Sequence, residues 1–333
     1  MRLRVAVLGA GSWGTTVASL ASQNAPTTLW SRRADLADVI NREHVNPRYL
    51  PDAQLPEDLR ATADVAEAVR DADVVVMGVP SHGFRPVLEE VAHSIRAWVP
   101  VISLAKGLEE GSLLRMTEII QSLLPGHPAG VLTGPNLARE IMAGEAAASV
   151  IAMEDPKIAA RVQDVFRTGM FRVYTNRDVI GCEVGGALKN VIAIAAGMGD
   201  GVGVGDNTRS AVITRGLAEL TRLGVAMGAE AQTLSGLAGM GDLIATCVSR
   251  QSRNRHVGEQ LGRGRKIAEI IDEMHMVAEG VKTCRVVMQL AERYGIEMPI
   301  AREVYAAVHE GRGALQAYRG LVRHKPGSEG DPG

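Results

Sequence analysis

The chain has 333 residues, a formal net charge of −2 and only 3% aromatic residues, so we expect about two domains with sizeable cores. The chain has no net positive charge to attract a nucleic acid and few aromatic side chains on which bases could stack, which argues against nucleic acid as a partner. The apolar residues, 46% of the chain, fall in short runs without a continuous stretch of about 20, so no membrane-spanning segment is expected.

The first predicted element is a buried strand that runs directly into a glycine-rich turn. Apolar residues dominate Leu3–Leu8, and the sequence GAGSWG then opens an apolar helix. In this context three glycines allow a tight turn, the approach of a pyrophosphate to the backbone, and close packing of helix on strand. The diphosphate would meet the free N–H groups and the positive dipole end of the helix. The pattern predicts dinucleotide binding at Gly9, Gly11 and Gly14; the alternative is an ordinary strand-to-helix turn.

The residues after the second strand predict which dinucleotide is preferred. This strand, Thr27–Trp30, is followed by Ser31, Arg32 and Arg33. An acidic residue at this place would bind the ribose 2′-hydroxyl of NAD, whereas arginine accommodates the 2′-phosphate of NADP. Two guanidiniums therefore favour NADP(H), and Asp35 nearby leaves NAD(H) open as a second cofactor. The alternative interpretation is a pair of arginines in a solvated loop.

Strands and helices continue to alternate up to residue 175, which is typical of an α/β fold with a Rossmann-type doubly wound sheet. Residues 41–59 are polar and rich in proline, and we predict a loop there. Short helices are predicted at 64–70 and 156–167. The sheet should have about eight strands, the later ones reversing direction; those identified lie at 3–8, 27–30, 73–79, 101–104, 131–132, 147–152 and 171–175.

Two polar turns are expected at the carboxyl edge of this sheet, where ligands of open parallel sheets bind. The strand at 101–104 leads into Lys106, a cation that serves either as a ligand contact or as an ordinary turn residue. The strand at 131–132 leads into the turn at 133–136, whose exposed N–H groups either cap a helix or hold a substrate.

The pattern becomes helical beyond residue 180. We predict a Rossmann domain at 1–180, a helical substrate and catalytic domain at 181–324 and a disordered tail at 325–333. Residues 184–199 form an apolar helix with a single charge, Lys189. Such a lysine must reach solvent, find a partner or have a lowered amine pKa. A lowered pKa suits a general acid/base, and Gly185 and Gly186, which let something approach closely, favour that role. A glycine-rich connection is predicted at 197–205.

A candidate phosphate clamp follows at Ser252, Arg253 and Asn254. A guanidinium, a hydroxyl and an amide at a predicted helix start suit a phosphate group. The alternative is a solvated basic loop.

Further candidates are residues that would act together with the predicted acid/base, Lys189. The glycines at 236–241 before Asp242 indicate a close approach. Asp242 and Thr246 would either orient Lys189 or bind a substrate hydroxyl, and Asn190 is another candidate for orienting the lysine.

The cysteines and histidines predict no metal centre and no disulfide. Cys182, Cys247 and Cys284 are isolated, and the eight histidines are scattered, so the cysteines are expected to be reduced thiols used in packing. Because the first strand begins at residue 3, we expect no signal peptide and a cytoplasmic protein.

A series of motifs makes the chain resemble bacterial NAD(P)-dependent glycerol-3-phosphate dehydrogenases. They are GAGSWG, AKGLE at 105–109, TGPN at 133–136, GALKNV at 186–191, GDNT at 205–208, the stretch 236–246, QSRNR at 251–255 and AEG at 278–280. The resemblance implies the interconversion of sn-glycerol 3-phosphate and dihydroxyacetone phosphate, which feeds glycerophospholipid synthesis. Together with the apolar helical domain it also implies a homodimer.

The resemblance implies roles for individual residues as well. The proton donor or acceptor matches Lys189. Substrate contacts match Lys106, Gly134, Asn136, Lys189, Asp242, Ser252, Arg253 and Asn254. Cofactor contacts match Ser12, Trp13, Arg32, Arg33, Lys106, Ala138, Arg253, Val277 and Glu279. The chain departs from the family at Asn136, where many bacterial relatives carry serine, and the amide can still form hydrogen bonds.

Two other functions stay open at this point. A related two-domain dehydrogenase for another phosphorylated or carboxylated hydroxy compound would share the glycine loop, the helical domain and the lysine. An NADP(H) sensor without activity would need the glycine loop alone.

Overall fold

The computed structural model describes residues 3–274 and 278–323, with the backbone alone for 321–323. This part of the chain forms two compact units. Unit 1 takes in the chain up to Lys106 and the segment Leu114–Val179, and unit 2 takes in Gly107–Leu113 and the chain from Ile180. The predicted tail at 325–333 lies outside the described residues.

Unit 1 is built on an eight-stranded sheet, as expected for a Rossmann-type fold. Its order is β10-β9-β8-β7-β6-β1-β2-β5, and β8 and β9 pair antiparallel while β9 and β10 pair parallel, so the last two strands reverse direction. Both the strand number and the reversal confirm the prediction. The strands of unit 1 are β1 Val5–Leu8, β2 Thr27–Trp30, β3 Val45–Asn46, β4 Leu50–Gln54, β5 Arg60–Thr62, β6 Val74–Met77, β7 Val101–Ser103, β8 Ala129–Thr133, β9 Ala147–Met153 and β10 Phe171–Asn176.

Helices cover both faces of this sheet, which explains why β1 and β6 are buried at every residue. Asp64 and Asp155 cap two of these helices by accepting backbone N–H groups through their side chains. The helices are α1 Ser12–Ser22, α2 Ala34–Glu43, α3 Val65–Arg70, α4 Ser81–Val91, α5 Met116–Leu123, α6 Ala138–Met142 and α7 Pro156–Phe166, with a short 3₁₀ turn at Ala92–Ser94.

The loop predicted at 41–59 is wrong. Helix α2 continues to Glu43, and β3 and β4 form a small antiparallel hairpin. Two prolines within the hairpin, Pro47 and Pro51, hide it from a reading of composition. The edge strand β5 also escapes prediction, because it has three residues and a single buried one, Ala61.

Unit 2 consists of helices and connecting turns, and its described residues contain no strand. At its centre lies α8, which is apolar on all sides and therefore surrounded by other elements. Its helices are α8 Val179–Val202, α9 Asp206–Ala226, α10 Ala231–Leu234, α11 Asp242–Val248, α12 Arg253–Gly262, α13 Ile267–Glu273, α14 Glu279–Tyr294, α15 Pro299–His309 and α16 Ala314–Arg323, with a π-helical turn at Leu237–Gly241.

Helix α8 corrects two expectations. It has 24 residues and is long and apolar enough to span a membrane, although no such segment was expected; since 94% of its most apolar window is buried inside the protein, it is a core helix. The connection predicted at 197–205 is also wrong over its first six residues, because the helix continues to Val202. The glycines there allow helix contact: a Cβ on Gly197 would lie 2.0 Å from Arg255 O, and one on Gly258 the same distance from Ile194 O.

Candidate active site

The three glycines of the first turn have three different environments. Gly9 has a φ of +123°, which favours glycine, and a Cβ there would lie 2.8 Å from the backbone of Gly78. A Cβ on Gly14 would lie 2.0 Å from Gly9 O, so this glycine is needed for packing of α1 on the turn. A Cβ on Gly11 would have no protein atom within 4 Å. The protein itself does not require a glycine at Gly11, and the open space beside it fits the approach of a dinucleotide diphosphate.

The first turn of α1 also fits an anion. The helix has neither a side-chain cap nor an acidic residue in its first turn, so its N–H groups and dipole act on whatever lies there. Ser12 donates a hydrogen bond from its hydroxyl to Tyr49 O at 3.1 Å. The indole Nε1 of Trp13 is buried without a hydrogen-bond partner among the described residues. A buried donor of this kind fits a ligand that carries acceptors.

The two arginines after β2 are both exposed but differ in their partners. Arg33 Nε donates to Asp35 Oδ1 at 3.0 Å, and a second contact joins Nη2 to Oδ2. This side-chain hydrogen bond raises the pKa of the Arg33 guanidinium and lowers the pKa of the Asp35 carboxyl. For Arg32 the described residues provide no ion pair. A 2′-phosphate would therefore compete with Asp35 for Arg33, while Arg32 is open to it.

The carboxyl edge of the sheet brings Lys106 and the turn after β8 together. Strands β7 and β8 are neighbours, and Lys106 Nζ donates to Gly134 O at 2.8 Å. Asn136 donates from Nδ2 to Ser149 Oγ at 3.1 Å, and its Oδ1 is buried without a hydrogen-bond partner in the described part of the chain. Ala138 is the first residue of α6. Asn136 thus has an acceptor left for a ligand hydroxyl.

In unit 2 the only lysine of α8, Lys189, lies inside an ion pair. Its Nζ is 2.8 Å from Asp242 Oδ1, and the two side chains are 5% and 3% exposed. Nζ also donates to Thr246 Oγ1, and this hydroxyl donates to the backbone oxygen of Asp242 at 2.6 Å. The sequence left three possibilities for this lysine, namely reaching solvent, finding a partner or having a lowered amine pKa, and the structure provides a partner. The carboxylate and the hydroxyl compensate the burial of the ammonium and fix the direction of Nζ.

One of the two glycines before the lysine, Gly185, has a structural explanation. A Cβ on Gly185 would lie 2.8 Å from Ala238 O. The close approach predicted there is therefore made by the chain's own π-helical turn. It brings α11, with Asp242 and Thr246, against the lysine helix.

Asn190 connects the lysine helix to the candidate clamp. Asn254 Nδ2 donates to Asn190 Oδ1 at 2.9 Å, and Asn254 Oδ1 accepts from Gly280 N at 2.9 Å. Ser252 caps α12 by accepting from Arg255 N at 3.2 Å. The predicted helix start at the clamp is thus present. Asn190 contacts Asn254 in these bonds, so its orienting effect acts on the clamp.

Arg253 is the exposed cation of this helix start. Burial by the surrounding protein lowers the pKa of its guanidinium, while the Glu279 carboxylate acts in the opposite direction. Because the side chain keeps much of its surface in solvent, the guanidinium stays charged. Glu279 begins α14, and Val277 lies outside the described residues.

Sequence reasoning missed an anchor beneath the clamp. Arg255 donates from Nε to Asp200 Oδ2 at 2.8 Å and places Nη2 at 2.7 Å from the same oxygen. These residues lie 55 positions apart, and no motif joins them. Gly78 was missed too, although a glycine directly after a buried strand at the carboxyl edge of the sheet is a usable signal.

Cys182, Cys247 and Cys284 are buried thiols that form no disulfide. Burial raises the pKa of both the Cys247 and the Cys284 thiols to about 12, so neither is a nucleophile at neutral pH. Among residues 3–274 and 278–323, no group of three or more His, Cys, Asp or Glu side chains is arranged to hold a metal ion.

Comparison with known proteins gives matches along nearly the whole chain. A family model described as the NAD-dependent glycerol-3-phosphate dehydrogenase N-terminus matches residues 4–159, and its C-terminal counterpart matches residues 178–319. A glycerol-3-phosphate dehydrogenase (NAD(P)+) of Sphingopyxis alaskensis is 61% identical over 333 residues, all of both chains. One of Mycobacterium avium is 58% identical over 98% of this chain and 96% of its own. The crystal structure of the glycerol-3-phosphate dehydrogenase of Coxiella burnetii has a TM-score of 0.93 at 37% identity, covering 97% of this chain and 99% of the other.

Proposed function

Since the chain belongs to the NAD-dependent glycerol-3-phosphate dehydrogenase family, we propose that it interconverts dihydroxyacetone phosphate and sn-glycerol 3-phosphate. The cofactor is NADP(H) by preference, with NAD(H) as an alternative. The observation that carries this proposal is the buried ammonium of Lys189, held by Asp242 and Thr246. The next residue, Asn190, is bonded to the helix start with Arg253, which supplies charge for a phosphate.

Lys189 is the general acid in the direction of ketone reduction. The reduced nicotinamide, when bound, supplies a hydride to C2 of the substrate. Lys189 Nζ gives a proton to the ketone oxygen and takes one back from solvent, so that the alcohol forms and charge balances. Asp242 and Thr246 hold Nζ in one direction. The positive charge of the ammonium stabilises the negative charge that develops on the ketone oxygen, so it stabilises the transition state more than the ground state. In the reverse reaction the neutral amine removes the proton of the alcohol.

Arg253 binds the substrate phosphate. A guanidinium offers two parallel N–H donors to phosphate oxygens. Ser252 and Asn254 complete this clamp from the start of α12, although part of their hydrogen-bonding capacity holds the helix start itself. Lys106, Gly134 and Asn136 are further proposed substrate contacts, as the family resemblance implies. The buried Oδ1 of Asn136, which has no hydrogen-bond partner among the described residues, supports its assignment.

The dinucleotide is held by the glycine turn with Ser12 and Trp13, and by Ala138, Lys106, Arg253 and Glu279 as the family resemblance implies. The open space at Gly11 and the uncapped start of α1 support this part. Because Arg33 is engaged by Asp35, Arg32 is the stronger contact to a 2′-phosphate. Arg32→Ala should therefore weaken NADPH more than Arg33→Ala does, and leave NADH nearly unchanged.

The cellular role follows from the product. sn-Glycerol 3-phosphate is the backbone of glycerophospholipids, so we place the enzyme at the entry to their synthesis in the cytoplasm, in accord with its free thiols. We further propose a homodimer; sedimentation of the purified protein tests it.

The deciding experiment follows loss of reduced-nicotinamide absorbance with dihydroxyacetone phosphate and either NADPH or NADH. Lys189→Ala should lower kcat by about 10²- to 10⁴-fold with dinucleotide binding intact, whereas Lys266→Ala, which removes an exposed lysine of the same unit, should not. Wild-type protein that binds NADPH yet reduces only another phosphorylated or carboxylated keto compound would overturn the substrate, and one that reduces none would point to a sensor.

The clamp has a matched test. Arg253→Ala should raise the KM for dihydroxyacetone phosphate strongly, and Arg250→Ala, three residues earlier in an exposed position, should leave it near the wild-type value. Equal values for the two variants would remove Arg253 from the phosphate site.

A further inference from the structure

We propose that Asn46 is a positioning residue for the dinucleotide: its side chain fixes the peptide that presents Gly11 N–H. This inference rests on the proposed function only in taking a nicotinamide dinucleotide as the ligand of the glycine turn. Asn46 belongs to the hairpin of β3 and β4, outside the glycine motif, in the stretch predicted as a loop.

Asn46 is fully buried and uses both ends of its carboxamide. Nδ2 donates to Ala10 O at 3.0 Å and to Thr15 Oγ1 at 2.8 Å. Oδ1 accepts from Tyr49 N at 3.2 Å. One side chain thus joins the hairpin turn, the peptide between the first two glycines, and the first turn of α1.

The bond to Ala10 O has a direct consequence for the next N–H group. The peptide between Ala10 and Gly11 is planar and trans, so its C=O and N–H point in opposite directions. Because Asn46 holds the oxygen toward the hairpin, Gly11 N–H points away from the hairpin. Glycine on both sides of Ala10 would otherwise let this peptide rotate, since glycine has few conformational restrictions.

A second bond ties the same hairpin to the other side of the turn. Ser12 donates from its hydroxyl to Tyr49 O at 3.1 Å. The hairpin therefore braces the glycine turn at Ala10, Ser12 and Thr15, and Asn46 forms two of these three contacts. A turn that samples several peptide orientations binds its ligand more weakly, in proportion to the population of the competent one.

The test compares Asn46→Ala with Asn41→Ala. Asn41 is a matched asparagine of the same unit: its Nδ2 donates to Ala61 O at 2.8 Å and its Oδ1 accepts from Ala61 N at 2.7 Å. These bonds hold the edge strand β5 and do not reach the glycine turn. For each variant the Kd for NADPH is measured by titration without substrate, together with the urea midpoint of unfolding.

We expect Asn46→Ala to raise the Kd for NADPH about ten-fold and Asn41→Ala to leave it within about two-fold, even where both lower the midpoint. At saturating NADPH, kcat and the KM for dihydroxyacetone phosphate should stay near the wild-type values for both. If Asn46→Ala does not fold, Asn46→Ser replaces it, because the smaller polar side chain admits water to Ala10 O. Equal Kd values for the two asparagine variants overturn the inference.

The two proposals fail separately. Wild-type protein that binds NADPH without reducing dihydroxyacetone phosphate rejects the proposed function, while the Kd comparison still decides the role of Asn46. Normal turnover combined with an unchanged Kd in Asn46→Ala rejects the role of Asn46 alone.

Discussion

Replacement of one partner of the buried pair Lys189–Asp242 should cost far more stability than replacement of both. The charges are 2.8 Å apart, and at an effective dielectric constant of about 20 their attraction is about 6 kcal/mol. Desolvation of both ions offsets much of this attraction. Lys189→Met leaves the Asp242 carboxylate, which is 3% exposed, without its counter-ion. Asp242→Asn likewise leaves the buried Lys189 ammonium without its counter-ion. Each single change should lower the free energy of unfolding by about 3 to 5 kcal/mol.

The double variant Lys189→Met/Asp242→Asn has no buried charge at this place. Its loss should be smaller than the sum of the two single losses by about 3 kcal/mol or more. Urea unfolding is followed by far-ultraviolet circular dichroism, to which the helices of unit 2 contribute strongly. Tryptophan fluorescence serves as the control, because Trp13, Trp30 and Trp98 all lie in unit 1.

Additive losses would refute the reasoning. Residues without interaction add within about 0.5 kcal/mol, so additivity would mean that water, and not the partner, compensates each charge. The lysine would then be free to reorient, and the fixed direction of Nζ assumed for proton transfer would be lost.

Three further predictions concern residues outside this pair. Gly258→Ala should destabilise the protein by about 1 to 3 kcal/mol or more in urea titration, since its Cβ would lie 2.0 Å from Ile194 O. Gly83→Ala is the control, because this helix position has no atom within 4 Å of the Cβ. It should be neutral or stabilising in the same titration. Burial raises the pKa of Glu219 to about 7, although the N–H groups of Ile300 and Ala301 and the charges of Arg222 and Arg215 act in the opposite direction. A raised carboxyl pKa gives stability that is lost as pH rises from about 4.5 to 7, so Glu219→Gln should remove a pH-dependent loss of about 3 kcal/mol in the free energy of unfolding. A wild-type stability that is flat over this range would contradict the prediction. Gly11→Ala should unfold at the wild-type urea midpoint but bind NADPH at least about ten-fold more weakly, while Gly14→Ala should lose stability. A lower midpoint for Gly11→Ala would show that the protein itself fills the space beside Gly11.

The elements predicted from sequence share one property, which is that their signal is local. The glycine turn follows a strand and opens a helix within a dozen residues, and the spacing alone identifies it. Lys189 stands out because its neighbours along α8 are apolar, so its need for a partner is visible although the partner is not. Seven of the eight strands follow in the same way from apolar runs of the length of a strand.

Two of the features that escaped prediction depend on contacts between distant residues. Asp200 and Arg255 are charged residues in unremarkable positions, and the bond between them exists only because α8 and α12 pack closely. The glycines beyond residue 197 were interpreted as a connection because glycine usually marks turns. In this fold Gly197 and Gly201 permit backbone contact between α8 and α12, and local sequence does not distinguish the two uses.

This helix contact also bears on which substrates the proposed reaction accepts. Lys189 and Asn190 are consecutive, so they leave α8 in directions about 100° apart, one toward α11 and one toward α12. The lysine is fixed by Asp242 and the clamp helix by Asn190. The separation between the proton donor and the start of α12 is thus set by two consecutive residues of α8 and by glycine-mediated packing. A substrate that uses both must carry its carbonyl and its phosphate at a separation that matches the one between Lys189 Nζ and the start of α12.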